Sequence, residues 1–381
     1  MNTTKNMKTT PLHTLSSVDD FPTVKLKVSE LAQHINAFLD TMSTKSKATQ
    51  TTYRSVLIGG SLAALKKHSQ LQSPTQAPEQ PQTPSSTQVS ERSARRTKPR
   101  ATFFEFFVLD RHFFFRVRDV ERYKRHLAKH HKLQEVSVAT YMTALRRFCQ
   151  YLVEVGVLER NPAKRVQGGH RPTSHFRTFL QVEEIEQLLT SIETTTSVGL
   201  RDRAIIHVML GCACSEVEIR QADVGDLRRQ GKRWTLVVQG KGKSVKDEVI
   251  PVPSETAKSI QRYLATRLAP GKQALPPDAP MFTSYSNRSR HARITMRGIR
   301  EAIMQRLKDS GVHKGRTGKL TPFSLRHTAG MLLVEQNATI EEVMHRMRIK
   351  WRPTAKLYFK QKGLLQGLAS NPVASSLMAL D

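Results

Sequence analysis

Residues 69–100 set the first limit on what this chain can fold into. Gln, Pro, Ser and Thr dominate the stretch, which ends in Arg95-Arg-Thr-Lys-Pro-Arg100. Too few apolar side chains are present to bury a core, so the segment reads as a flexible linker with a basic end. Helical patterns lie on both sides of it. From Val28 to about Lys67 the chain reads as two helices, with Leu31, Ile35, Phe38 and Leu39 at helical spacing and a polar turn at Ser43–Ala48. The pattern returns over Val117–Ala128 and over Val136–Val155, where Tyr141, Leu145, Phe148, Tyr151 and Leu152 form one apolar side. Gly156 is a natural stop and Asn161-Pro162 marks the turn beyond. The linker therefore interrupts a helical bundle, either as a surface loop or as a partner-docking segment.

A second, short, basic linker runs from Gly168-Gly169 to Arg177, and a larger domain begins near Phe179. Glu183–Ser191, Gly199–Gly211, Ser254–Leu268, Thr295–Asp309, Ser324–Glu335 and Ile340–Met347 read as helices. Arg233–Val238 and Val249–Val252 are β-branched runs joined by a Gly-Lys-rich turn, which predicts an antiparallel hairpin. The expected fold is mainly α with a small antiparallel sheet. The expected divisions are a disordered N-terminus (1–25), a helical domain (26–165) interrupted at 69–100, a linker (166–178), a second domain (179–360) and a tail (361–381).

Charge narrows the partner. The 381 residues carry 61 Lys and Arg against 32 Asp and Glu, a formal charge of +29. Such a surplus favours a polyanion, because neutralising phosphates releases condensed counterions. No apolar run approaches the roughly 20 residues that span a bilayer, and the first residues lack the apolar centre of a secretory signal. The three cysteines, Cys149, Cys212 and Cys214, cannot make a disulfide framework. Cys212-Ala-Cys214 reads as a buried structural pair, and no metal site is assigned. A cytoplasmic, nucleoid-associated, bacterial-type protein fits these observations.

Chemistry concentrates near the C-terminus, in Thr321-Pro-Phe-Ser-Leu-Arg-His-Thr328 and Thr354-Ala-Lys-Leu-Tyr358. A guanidinium is planar and always charged, so it can grip two phosphate oxygens at once. A tyrosine about thirty residues later is a candidate nucleophile. With these motifs, the chain from roughly Val28 to Phe359 resembles the tyrosine recombinases of the phage-integrase type. The resemblance implies a helical core-binding domain followed by a catalytic domain, clamping double-stranded DNA, for recombination or integration of a mobile element. It implies self-association on DNA as a tetrameric synapse, accessory proteins as possible partners, and no metal or nucleotide cofactor.

In such enzymes a tyrosine hydroxyl attacks a phosphodiester and stores its energy as a 3′-phosphotyrosine link, which the 5′-hydroxyl of another strand then reverses. The resemblance assigns the nucleophile to Tyr358, the second arginine to Arg326, and the lysine that protonates the leaving 5′ oxygen to Lys241 in Gly240-Lys-Gly-Lys243, with Lys243 as a substitute. His327 completes the Arg-His-Thr. Bundle residues Arg122, Lys124, Arg125, Lys129, Arg146 and Arg147 suit phosphate contacts. So do Arg288, Arg290, Arg293, Arg297 and Arg300, the last three expected on one helix face at spacings of four and three. The tail resembles one that docks on a neighbouring subunit, although packing on its own domain is equally open.

Three positions depart from the pattern. Gly211-Cys-Ala-Cys-Ser-Glu-Val-Glu-Ile219 matches Ala-Thr-Gly-x-Arg-x-Ser-Glu-Leu, which puts Ser215 at the first arginine; Arg220 would have to reach back against helix geometry. Phe323 stands at the first histidine. Ile349 stands at the second, with Trp351 its substitute after a two-residue contraction and His345 a weaker candidate. A phosphate-stabilising arginine is worth roughly 10³–10⁵ in rate and a general acid or base roughly 10²–10⁴. Uncompensated loss of one of each would add on the order of 7–12 kcal/mol to the barrier. Either other groups stand in for them, or the protein is a catalytically reduced, DNA-binding accessory or regulatory relative.

Overall fold

The computed structural model describes residues 24–59, 102–169, 178–240, 243, 245–316, 318–368 and 371–380. The N-terminal stretch before residue 24, the 69–100 linker, the basic linker beyond Gly169 and Lys241 lie outside the described residues. Contacts divide the chain into two units, Met1–Arg171 and Pro172–Asp381. Among the described residues the fold is mainly helical with one small antiparallel sheet.

The first unit holds α1 (Val28–Thr41), α2 (Lys47–Leu57), α3 (Phe103–Leu109), α4 (Val117–Arg125) and α5 (Glu135–Glu154). Leu31, Ile35, Phe38 and Leu39 are buried as their spacing predicts, and Gly156 adopts φ 75° just past α5. The sequence reading has no counterpart to α3. Its Thr102 caps the helix, Oγ1 accepting from Glu105 N at 3.1 Å. Yet Phe-Phe-Glu-Phe-Phe-Val-Leu is too short and too uniformly apolar to show a helical period. These phenylalanines build an aromatic core, with Phe103 at 5.4 Å from both Phe113 and Tyr123, ring to ring. Asp119 is fully buried, accepting from Phe114 N (2.9 Å) and paired with Arg116 and Arg122 (both 3.0 Å).

The second unit runs α6 (Val182–Thr190), α7 (Ser197–Gly211) and α8 (Glu216–Gln221). The strands β1 (Leu227–Gln230), β2 (Arg233–Val238) and β3 (Glu248–Val252) follow, and then α9 (Ser254–Ala265). After them come α10 (Met296–Asp309), α11 (Pro322–Glu335), α12 (Ile340–Arg346), α13 (Arg352–Phe359) and α14 (Pro372–Met378). The sheet order is β1-β2-β3, with Leu227 opposite Leu236 and Trp234 opposite Val252. The hairpin thus carries a third, mostly exposed strand, whose Leu-Arg-Arg-Gln sequence has no alternating pattern to announce it. α7 and α11 are buried on nearly every side and form the centre of the unit. The tail packs in cis: Ala374, Leu377 and Met378 of α14 join the same core. All three cysteines are buried and free, and burial pushes the Cys214 thiol up to about 12.

Candidate active site and DNA-facing residues

The site is built where α7, α8, α11 and the turn after α12 meet. Ser215 starts α8, and its N–H donates to Glu218 Oε2 at 2.6 Å, while the buried Glu218 N–H faces Ser215 Oγ at 3.4 Å. The reciprocal box fixes the Glu218 carboxylate at a point that two arginines reach from far along the chain. Arg326, on α11, donates from Nη1 to Glu218 Oε2 (3.0 Å) and Ala213 O (2.6 Å), and from Nη2 to Met347 O. Arg348 donates from Nε to Glu218 Oε1 at 2.5 Å and from Nη2 to Oε2 at 3.1 Å. Its Nη1 donates to Cys212 O (3.3 Å) and Arg346 O (2.6 Å), and its Nη2 also reaches Ala213 O (2.7 Å).

A guanidinium has five N–H donors. Arg348 uses all of them inside the protein, whereas these contacts take three of Arg326's and leave Nε–H and one Nη2–H. Burial alone would push the Glu218 carboxyl up, but the Arg348 charge and hydrogen bond, with Arg326, hold it below the usual carboxylate range. Two residues here stand in the left-handed region without being glycine: Ala213 (φ 49°) and Arg348 (φ 53°). Strain of roughly 1–3 kcal/mol at each such position persists only where surroundings enforce it. Here both arginines converge on the Ala213 carbonyl.

Tyr358 lies on α13, which packs on α11 and α12. Its side chain is 2% exposed and its ring sits 4.9 Å from that of the fully buried His327. It is close enough to Arg326 to act on that guanidinium electrostatically. Gly330 permits this approach: a Cβ there would lie 2.4 Å from Tyr358 Cε1. Tyr358 and His327 are thus in ring contact, with Arg326 within electrostatic reach of Tyr358.

The remaining candidates are dispersed. Arg220 is exposed at the end of α8 and does not fill the gap left by Ser215. Arg348 is the cation beside that gap. The sequence reading missed it because its partners lie up to 136 residues away. The signal that pointed toward it was the charge deficit at Ser215. Phe323 is 37% exposed on the first turn of α11, Trp351 is 62% exposed, and His345 is exposed. Ile349 packs against the core. Lys243 is held by Asp247 (2.5 Å) and Glu248 (3.1 Å), and the Asp247 hydrogen bond above all raises its ammonium above its ordinary value. That shift makes Lys243 a weaker proton donor at neutral pH.

Several basic residues are tied into the fold. Arg146 donates to Ala163 O (3.0 Å) and Val166 O (2.6 Å). Arg122 is paired with Asp110 at 2.8 Å and with Asp119. Arg293 donates to the carbonyls of Arg220 and Ala222 (both 3.0 Å) and pairs with Asp223. The shared helix face expected for Arg293, Arg297 and Arg300 is corrected here. Arg293 precedes Thr295, the N-cap of α10, and bridges to Thr283 in extended backbone. Arg297 and Arg300 are exposed on α10, paired with Glu301 (2.6 Å) and Glu216 (2.7 Å). Such surface pairs contribute little to stability. Arg125, Arg147, Arg288 and Arg290 are exposed, and Lys124 is half-buried. Among the described residues no helix is long and apolar enough to cross a membrane.

The model of the phage integrase family matches residues 178–361. Tyrosine recombinase XerC of Haemophilus influenzae (strain 86-028NP) is 28% identical over 236 residues, 61% of this chain and 72% of that protein. XerC of Myxococcus xanthus is 30% identical over 211 residues, 54% of this chain and 65% of its own length. Among solved structures, the XerH site-specific recombinase in a post-cleavage complex with palindromic difH substrate shares the fold. It has a TM-score of 0.57 at 15% identity over 90% of this chain and 96% of that one. The Tn1549 transposon integrase with transposon right end DNA gives 0.52 at 14% identity over 67% and 86%. The segment that matches the phage integrase family holds α6 to α13 and the whole constellation around Glu218, so the similarity to that family falls on the second unit.

Proposed function

We propose that the protein breaks and rejoins double-stranded DNA at specific sites through Tyr358. The Tyr358 Oη gives up its proton to solvent as it attacks the phosphorus, a 3′-phosphotyrosine bond forms, and the bond to the 5′ oxygen breaks. Lys241 gives that oxygen its proton. Arg326 places its remaining Nε–H and Nη2–H on the non-bridging oxygens, and Arg348 holds Glu218 and the Ala213 carbonyl so that Arg326 keeps its aim. The 5′-hydroxyl of another strand reverses the attack, in copies of the chain assembled on DNA. Arg125, Arg147, Arg288, Arg290, Arg297 and Arg300 contact the backbone.

The observation that carries this reading is that Tyr358 packs on His327 within electrostatic reach of Arg326, whose guanidinium is held by a carboxylate shared with Arg348. Arg348 supplies the charge missing at Ser215, although not its free donors. A second reading, a DNA-binding relative that no longer cleaves, draws on that donor count and on the 2% exposure of Tyr358, which must leave its packing to meet a phosphate. A nicked suicide duplex separates the two. A covalent protein–DNA adduct with the wild type and none with Tyr358→Phe supports cleavage; tight retention of the duplex without adduct supports the second reading.

A further inference from the structure

The first unit carries a cluster that DNA strand exchange does not use. After α4 the helix widens into a π-turn, His126–His130, closed by His131 N donating to His126 O at 3.2 Å. In an α-helix the residue five positions on points well away from the first. The wider turn instead brings the fourth and fifth residues over the same side, and single π-turns of this kind recur at functional sites. Here all three positions are histidine.

Their rings converge. His126 Nε2 and His131 Nε2 lie 3.1 Å apart, and His130 stacks on His126 at 4.9 Å with planes 24° apart. One ring nitrogen from each falls within 4.8 Å of the other two. Nitrogens bound to one tetrahedral zinc ion at about 2.0–2.1 Å stand a little over 3 Å apart. The His126–His131 pair already has that spacing, and the exposed His130 needs only a side-chain rotation to reach it. Phe106 packs on His126 at 4.9 Å and fixes its ring. The Glu105 carboxylate lies near enough to His131 to attract positive charge there.

We infer that His126, His130 and His131 form a binding site for one divalent transition-metal ion of the zinc class. Imidazole nitrogen selects such ions over magnesium or calcium, which take oxygen ligands. Three histidines leave a fourth position for water or for Glu105. The ion would staple the π-turn to the start of the loop leading into α5, beside the basic residues Arg125, Lys129 and Lys132.

The test uses full-length protein stripped with chelator. Cobalt(II) is added stepwise, its visible absorption is recorded, and zinc is added in competition. The expected result is one equivalent per chain with an intense tetrahedral spectrum, displaced by zinc. His130→Ala and His131→Ala should each weaken zinc binding at least about tenfold, the loss that even supporting residues around a metal bring. His130 is exposed, so its removal leaves the bundle intact, which far-UV circular dichroism checks. Zinc should raise the melting temperature of the wild type and not of His130→Ala. A weak octahedral spectrum, or one equivalent bound equally well by both variants, would overturn the assignment.

Discussion

Each unit of this protein holds a buried carboxylate between two arginines, Asp119 in the first and Glu218 in the second, and the two differ in what they recruit. Asp119 pairs with Arg116 and Arg122, three residues to either side, and accepts from Phe114 N and Arg116 N. Glu218 pairs with Arg326 and Arg348, 108 and 130 residues away. The local version locks the entry into α4. The remote version draws three distant segments to one point, with Tyr358 within electrostatic reach of one of its arginines. A carboxylate with two guanidinium partners is thus a local fold device in the first unit and, under the proposed function, part of a reaction site in the second.

The largest expected effect is on chemistry. Arg326→Ala should lower single-turnover cleavage of a suicide duplex by about 10³–10⁵, while Arg116→Ala, its counterpart at Asp119, leaves the chemical step unchanged. Equal losses would erase the distinction between the two sites.

Removing the carboxylates compares them directly. Glu218→Gln leaves two buried guanidinium groups without a counter-charge and should cost about 3–5 kcal/mol in urea unfolding, together with cleavage. Asp119→Asn should cost less, about 1–3 kcal/mol, because Arg122 is 35% exposed and water solvates it. Its cleavage rate, measured on folded protein, should be retained.

Acid should weaken the second unit in a defined window. Burial, helped by Arg203, pulls the His207 imidazole down to about 4. Between the ordinary value of 6.5 and about 4 the unfolded chain binds the proton and the folded chain does not. Stability therefore falls as pH drops through that range, by up to about 3 kcal/mol. Glu218, held low, adds its own loss only below the ordinary carboxylate value of 4.5. Unfolding of His207→Gln across pH 4–7 should lack the first of these slopes.

The smallest effect belongs to Ser215. Its Oγ caps α8 from a long 3.4 Å, so Ser215→Ala should cost no more than about 1 kcal/mol. A larger loss in thermal unfolding would give that side chain a role beyond capping.

The same contrast explains what could be read from the sequence. Arg326, His327 and Tyr358 sit in short windows whose order survives as local pattern, and the helices with clear apolar spacing, α1, α5 and α9, were visible for the same reason. Arg348 was not visible. Its meaning lies in contacts across 130 residues and in a left-handed backbone that no local preference announces. α3 escaped because seven nearly all-apolar residues have no period, and β1 because its side chains are largely exposed. Arg146 and Arg293 looked like free cations, since the carbonyls that hold them leave no mark in composition.

The most direct test of the account is to find the atom that carries the DNA. The adduct trapped on a suicide duplex is digested with nuclease and protease, and the peptide bearing the residual nucleotide is sequenced by mass spectrometry. The account predicts a single 3′-linked nucleotide on the peptide containing Tyr358, with its yield collapsing in Arg326→Ala. A nucleotide on any other residue, or an adduct whose yield ignores Arg326, would contradict it.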